Sequence, residues 1–238
     1  MAVRDRHRSG FLGDSLRATR GATRGETRSE TDSGVPHTGT GARYDQAYFD
    51  KWYRNPRTRV KSAAELKRQV AFVLHAAEWV LGRPLRTVLD VGCGEGQWQP
   101  ALQRLRPSVR YHGVDPSEFA VRKHGVRRGL MQGGIEDLST LPLRDRYDLV
   151  VCCGMLNYLS PAQLQRGLPL VAERTGGLAY LELFANGDAI EGDTGWPPPQ
   201  PAAWYREALT RAGFRSVGLQ CYVPHGTDTN VSLMERGW

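Results

Sequence analysis

A chain of 238 residues, 40% hydrophobic and with a net charge of +7, has the size of one domain plus a tail and enough apolar surface for a core without disulfide staples. No run approaches the roughly 18 unbroken apolar residues of a membrane-spanning helix, and the polar start MAVRDRHRSG lacks the apolar stretch of a secretory signal, so the chain is expected in the cytoplasm. Cys93, Cys152, Cys153 and Cys221 form no C-x-x-C pair and read as reduced packing residues.

Residues 1–42 are poor in large apolar side chains and rich in Arg, Gly, Ser and Thr, a composition that buries too little to offset ordering and is expected to be disordered. Part of the positive charge lies there; the rest is dispersed, with no basic stripe interleaved with aromatics. The domain is expected over 43–238. It opens on YDQAYFDKWYR, whose aromatic density predicts a helical flap within 43–60. Ser62 and Glu65 form a capping box before a helix with Leu66, Val70, Val73, Leu74, Ala77 and Leu81 on one face, stopped by Gly82 and Pro84.

Strands and helices then alternate. Strands are expected at Thr87–Val91, Arg110–Val114, Gly129–Gln132, Asp148–Cys153 and Leu178–Phe184. Helices are expected at Gln97–Leu105, Ser117–His124, Pro161–Glu173 and Ala202–Ala212. Two last strands, Phe214–Tyr222 and Asn230–Glu235, are joined by VPHGTDT and should be antiparallel. This alternation predicts an α/β fold with a mostly parallel sheet covered on both faces.

VLDVGCGEG carries the chemistry. A strand ends at Asp90, then Gly92, Gly94 and Gly96 precede a helix, the layout of a ligand site at a strand's carboxyl end. Missing side chains let a ligand rest on the main chain. The spacing is D-x-G-x-G-x-G, with Asp90 and Glu95 beside the loop. Carboxylates repel a pyrophosphate and attract a ligand bearing an ammonium and a sulfonium, so a nicotinamide dinucleotide stands second. Asp115 in GVDPS follows the next strand at the spacing of a ribose acceptor. Asp137, after the third strand, suits an adenine amino group, with the Leu138 N–H on a ring nitrogen; a shifted register puts Ile135 or Glu136 there instead.

With the Asp137–Leu138 pair, YDLVVCCGMLNYL and the terminal strands, these motifs over about residues 44–238 resemble the class I S-adenosylmethionine-dependent methyltransferases, of the small-molecule, bacterial type. The resemblance implies a Rossmann-like seven-stranded sheet with an antiparallel last strand, and S-adenosyl-L-methionine as cofactor. It also implies a cofactor site of Asp90, Gly92, Cys93, Gly94, Gly96, Asp115, Pro116, Asp137, Leu138 and Cys153. Asp90 and Gly92 take the methionine end, Asp115 the ribose, and Asp137 and Leu138 the adenine.

The acceptor must meet the methyl past the fourth and fifth strands, where Asn157, Tyr158 and Glu182 stand. His225 is a further base candidate. The loop 185–201, with Asp188, Glu191, Asp193 and Trp196, is long enough for a substrate lid; Trp204 and Tyr205 line the pocket or pack in the core. Arg57 and Arg59 hold an acidic substrate group or face water. No N-P-P-Y motif of nucleic-acid amino methylation occurs, and His75 and His112 lack metal-ligand spacing. The expected acceptor is a small-molecule oxygen or nitrogen nucleophile. The alternatives are RNA or protein bound through the basic tail, and a non-catalytic cofactor-binding subunit.

Overall fold

The computed structural model describes residues 43–190, 192–193, 195–227 and 231–232. Every described residue lies within one compact unit, His37–Trp238. The expected tail, 1–42, falls outside the described residues.

Seven strands form one sheet in the order β3-β2-β1-β4-β5-β7-β6. They are β1 (Thr87–Val91), β2 (Arg110–Asp115), β3 (Leu130–Gln132), β4 (Tyr147–Cys152), β5 (Thr175–Leu181), β6 (Phe214–Ser216) and β7 (Cys221–Pro224). The first five are mutually parallel, and β7 runs antiparallel to both neighbours, β5 and β6. The helices are α1 (Gln46–Phe49), α2 (Ala63–Leu81), α3 (Trp98–Leu105), α4 (Glu118–Arg128), α5 (Pro161–Arg174) and α6 (Ala202–Arg211). None of them is long and apolar enough to cross a membrane.

Alternation along the strands divides the core. Val88, Leu149 and Val151 pack on one face with Val70, Leu74 and Ala77 of α2 and Leu102 of α3. Leu89, Val150 and Cys152 pack on the other with Leu164 and Leu168 of α5 and Leu209 of α6. Burial on both faces is why the central strands read as continuous apolar runs. The capping box at Ser62 forms as expected, and Gly82 ends α2 in the left-handed conformation.

Several boundaries depart from the sequence reading: β5 ends at Leu181 rather than Phe184 and α4 runs on to Arg128 rather than His124, and two further departures have a structural cause. The fifth strand begins at Thr175 because Gly176 and Gly177 lie within it. A Cβ on Gly177 would stand 2.5 Å from the Asp148 carbonyl oxygen and 2.6 Å from Leu81 Cδ2, so the glycines permit close packing where they resembled a loop. The expected strand Phe214–Tyr222 is a hairpin. Gly218 (φ 88°), Leu219 (50°) and Gln220 (61°) turn the chain in the left-handed region, and VPHGTDT follows the hairpin rather than joining it. The other expected strand, Asn230–Glu235, lies outside the described residues except for Val231 and Ser232, which belong to no strand.

Candidate active site

β1 delivers Asp90 to the carboxyl edge of the sheet, and the following turn needs its glycines. Gly92, Gly94 and Gly96 adopt φ of 69°, 54° and 69°, values that strain any side-chain-bearing residue. A Cβ on Gly92 would lie 2.5 Å from Met155 Cβ, and one on Gly94 2.5 Å from the Tyr53 hydroxyl. The turn is tied to β2: the Gly94 N–H donates to Asp115 Oδ2 at 2.6 Å and the Ser117 N–H to Oδ1 at 2.9 Å. Asp90 Oδ2 accepts from the Tyr111 hydroxyl at 2.6 Å.

Both carboxyl groups are buried, and neither enters an ion pair among the described residues. Burial pushes Asp90 up to about 7, with Tyr111 opposing and Asp115 adding to the rise. Burial pushes Asp115 up to about 6 against the pull of the Ser117 and Gly94 N–H groups. Glu95 is placed differently from the sequence reading. Its carboxylate turns away from the loop to an ion pair with Arg54 and lies 3.2 Å from His124 Nε2.

Two cavities flank the turn. The larger, about 800 Å³, is bounded by Gly92, Gly94, Asp115, Pro116, the segment Gln132–Asp137 and Met155. The smaller, about 170 Å³, is bounded by Asp90, Cys93, Gln97, Trp98, Cys153 and Glu182. Gly92, Gly154, Tyr48, Tyr53 and Tyr158 border both. The segment after β3 is a 3₁₀ turn, Ile135–Ser139, in which the Gly134 N–H donates to Asp137 Oδ2 at 2.7 Å. Gly96 and Leu138, both expected to touch cofactor, border neither cavity. Gly96 clears space for Leu130, 2.9 Å from a built Cβ. Leu138 is wholly buried, and its carbonyl accepts from Arg174.

The aromatic segment, expected as a helical flap, is helical and lies against the glycine turn. α1 and the π-helical turn Asp50–Arg54 carry Tyr48, Phe49 and Tyr53 across the turn. Phe49 is 1% exposed and stacks on Phe119, with ring centres 5.9 Å apart. The Ser117 hydroxyl donates to the Tyr44 carbonyl at 2.5 Å. The flap meets the 185–201 loop through Tyr158, whose hydroxyl donates to Asp193 at 3.0 Å and lies 3.2 Å from the Tyr48 hydroxyl. Trp196 packs on the Tyr158 ring, and Arg43 pairs with Asp193 at 3.4 Å. Asp188 is occupied locally by the Ala185 N–H, and Glu191 falls outside the described residues.

The floor of the smaller cavity carries a polar cluster that the sequence reading found only in part. Lys61 Nζ donates to Glu182 at 2.7 Å, to Gln69 Oε1 at 3.0 Å and to Cys153 Sγ at 3.3 Å. Gln69 Nε2 donates to Glu182 at 3.1 Å and to the Tyr180 hydroxyl at 2.9 Å. Burial works against the Lys61 charge, but Cys153 and Glu182 outweigh it and hold the ammonium above its ordinary range. Glu182 was recognised by its place after the fifth strand. Lys61 and Gln69 had no signal beyond their position beside the capping box.

The remaining candidates leave the site. Asn157 is buried and clamps residue 184: its Nδ2 donates to the Phe184 carbonyl at 2.7 Å and its Oδ1 accepts from the Phe184 N–H at 3.1 Å. His225 borders neither cavity; its Nε2 lies 3.0 Å from the Phe214 carbonyl oxygen, at the far end of the last hairpin. Tyr205 and Trp204 pack in the core. Arg57 borders neither cavity. No group of His, Cys, Asp and Glu that could hold a metal ion occurs among the described residues.

Residues 88–175 match the family model described as a methyltransferase domain. Among solved structures, a SAM dependent methyltransferase from Archaeoglobus fulgidus is similar over 72% of this chain and 75% of its own, at 19% identity and a TM-score of 0.50. Magnesium protoporphyrin IX methyltransferase from Synechocystis PCC 6803, solved with bound SAM, is similar over 75% of this chain and 85% of its own, at 19% identity and a TM-score of 0.51. No curated protein sequence matches the chain. The likeness to the solved structures shows the fold, and the family match falls on the glycine turn and the strands β1 to β4 that build the cleft. The chain thus carries a methyltransferase-domain match over residues 88–175 and has the fold of the S-adenosylmethionine-dependent methyltransferases it is similar to.

Proposed function

We propose that the enzyme methylates an oxygen or nitrogen nucleophile of a small molecule, with the donor's adenosyl half in the larger cavity and the acceptor in the smaller one. The observation that carries this reading is the size and wall of the smaller cavity. About 170 Å³ closed off by Tyr48, Trp52, Tyr158 and Trp196 lies below the roughly 300–1,000 Å³ usual for drug-sized ligands.

The residues fit the donor. Asp90 and Asp115 are buried carboxyl groups without a cationic partner among the described residues, and the donor brings positive charge. Asp115 accepts from the ribose hydroxyls, and the main chain of Gly134 and Ile135 meets the adenine. The Asp137 carboxylate shapes that turn through Gly134 rather than reaching the base itself. Asp90 and Gly92 face the methionine end, where the two cavities join. When bound, the donor supplies a methyl group on a cationic sulfur, open to in-line attack by a nucleophile. Orientation by the chain contributes about 7–11 kcal/mol to such a reaction. Glu182 is the carboxylate at the acceptor's end of the cleft and takes the proton given up by an O–H or N–H nucleophile, while Lys61 and Gln69 fix its position.

Calorimetry with S-adenosylmethionine and S-adenosylhomocysteine tests the donor site. Asp115→Ala is expected to weaken both by about 10–100-fold, the scale of a lost charged hydrogen bond; an unchanged affinity removes the ribose assignment. Incubation of the enzyme with methyl-labelled donor and cell extract tests the acceptor class. Label is expected in the low-mass fraction, and label confined to RNA or protein overturns the small-molecule reading.

A further inference from the structure

Beside the acceptor cavity lies a third, about 250 Å³, walled by Arg59, Lys61, Lys67, Arg104 and Arg128, with no acidic side chain in its lining. Tyr53, Lys61, Leu66 and Gln97 border both this pocket and the acceptor cavity, so the two are neighbours across a shared wall. Several arginines elsewhere are balanced by carboxylates. Arg54, Arg83, Arg106, Arg166 and Arg211 each pair with a carboxylate. Arg59, Lys67 and Arg104 enter no salt bridge among the described residues, although Arg59 lies near enough to Glu65 to hold that exposed carboxylate below its usual range, after Ser62's hydrogen bonds and together with Arg68. Arg128 donates to the Glu95 carbonyl and keeps its charge on the pocket wall. With Lys61 paired to Glu182, four cations without a carboxylate partner among the described residues converge on one concavity, repel one another and focus a positive potential into it.

We propose that this pocket is the seat of an acidic group, a phosphate or carboxylate, on the methyl acceptor. The acceptor is then an anionic small molecule whose acid rests among Arg59, Lys67, Arg104 and Arg128, while its nucleophile reaches past Gln97 to Glu182. Arginine and lysine supply the charge-assisted contacts such an oxyanion requires. Because the acid is held apart from the methyl, it survives the reaction with its charge intact. This extends the reading that the smaller cavity receives the acceptor.

The test is titration of the whole enzyme with inorganic phosphate and with citrate, each with and without saturating S-adenosylhomocysteine. Saturable binding is expected in both conditions. It should weaken by at least about tenfold in the charge-reversed Lys67→Glu/Arg104→Glu double variant. Both residues are exposed, and unchanged S-adenosylhomocysteine affinity shows that the variant is folded. No saturable binding overturns the proposal, as does binding indifferent to the double substitution. Competition by S-adenosylhomocysteine also overturns it, because the pocket would then seat the donor's own carboxylate. Failure of S-adenosylhomocysteine to bind at all is a separate reading that strikes the donor site instead. In the labelled-extract experiment, the methylated product is expected to be retained on an anion exchanger; label found only in the unretained fraction rejects an acidic acceptor.

Discussion

At the scale of single residues, Asp90 is the position where binding and stability oppose each other. A free aspartate ionises near 3.9, whereas burial lifts Asp90 to about 7. The folded chain therefore holds this proton more tightly than the unfolded chain. The stabilisation is complete below about pH 4 and is lost as pH rises through about 7. Above that window the fold carries a buried charge whose only hydrogen bond among the described residues comes from Tyr111. Asp90→Asn keeps an acceptor for Tyr111 and removes the ionisation. Its stability to thermal unfolding is expected to exceed that of the wild type by a margin that grows between about pH 4 and pH 7 and levels off above, toward an upper bound on the order of 4 kcal/mol. A margin that stays flat with pH would show that Asp90 ionises normally. The same charge favours a cationic ligand, so wild-type affinity for S-adenosylmethionine is expected to rise over this range. In Asp90→Asn it should be weaker and nearly flat, as calorimetry at several pH values would show.

At the scale of elements, the aromatic segment before α2 is held by tertiary contacts rather than by its own helix. α1 has only four residues, too short to be stable by itself. Its anchor is Phe49, wedged against Tyr53 and Phe119. Phe49→Ala is expected to release the flap while leaving the sheet intact. Amide hydrogen exchange should then accelerate over residues 44–54 but not over β1 and β4, with donor affinity reduced about tenfold or more. Equal acceleration throughout would mean that Phe49 supports the whole core. The helical, aromatic character of this segment was legible in the sequence because five aromatic residues cluster within Tyr44–Tyr53 in a polar stretch. The five parallel strands were legible for a related reason: burial on both faces leaves short apolar runs between glycine and proline signals. What escaped depended on contacts distant in sequence. Gly176 and Gly177 serve close packing against β4 and α2, which no local pattern reveals. The break at Gly218–Gln220 lies inside a run with ordinary strand composition. Lys61 acquires its role only when α2 is laid beside β5, and Glu95 faces away because Arg54 and His124 approach it from the flap and α4.

At the scale of the whole molecule, the cleft lies where the strand order reverses. From β1 the chain proceeds outward through β2 and β3, then returns to add β4 and β5 on the other side, and a ligand placed there touches the carboxyl ends of strands from both halves. Asp90 is the penultimate residue of β1, Asp115 ends β2, Gly133 and Gly134 follow β3, Cys153 follows β4 and Glu182 follows β5. A donor bridging these positions stabilises the sheet as a unit. At a concentration about 100 times its dissociation constant it adds about 2.7 kcal/mol, and for a domain of this size that raises the melting temperature by roughly 5–10 °C. Scanning calorimetry should show one transition moving upward with S-adenosylhomocysteine, more so as the ligand concentration rises. Asp115→Ala should show little movement at the same concentration. The alternative is a ligand held by the flap alone. Hydrogen exchange would then slow over residues 44–54 while the main transition stayed in place, because the strands would melt without regard to occupancy. The position of that transition therefore decides whether the ligand is held by the sheet or only beneath its cover.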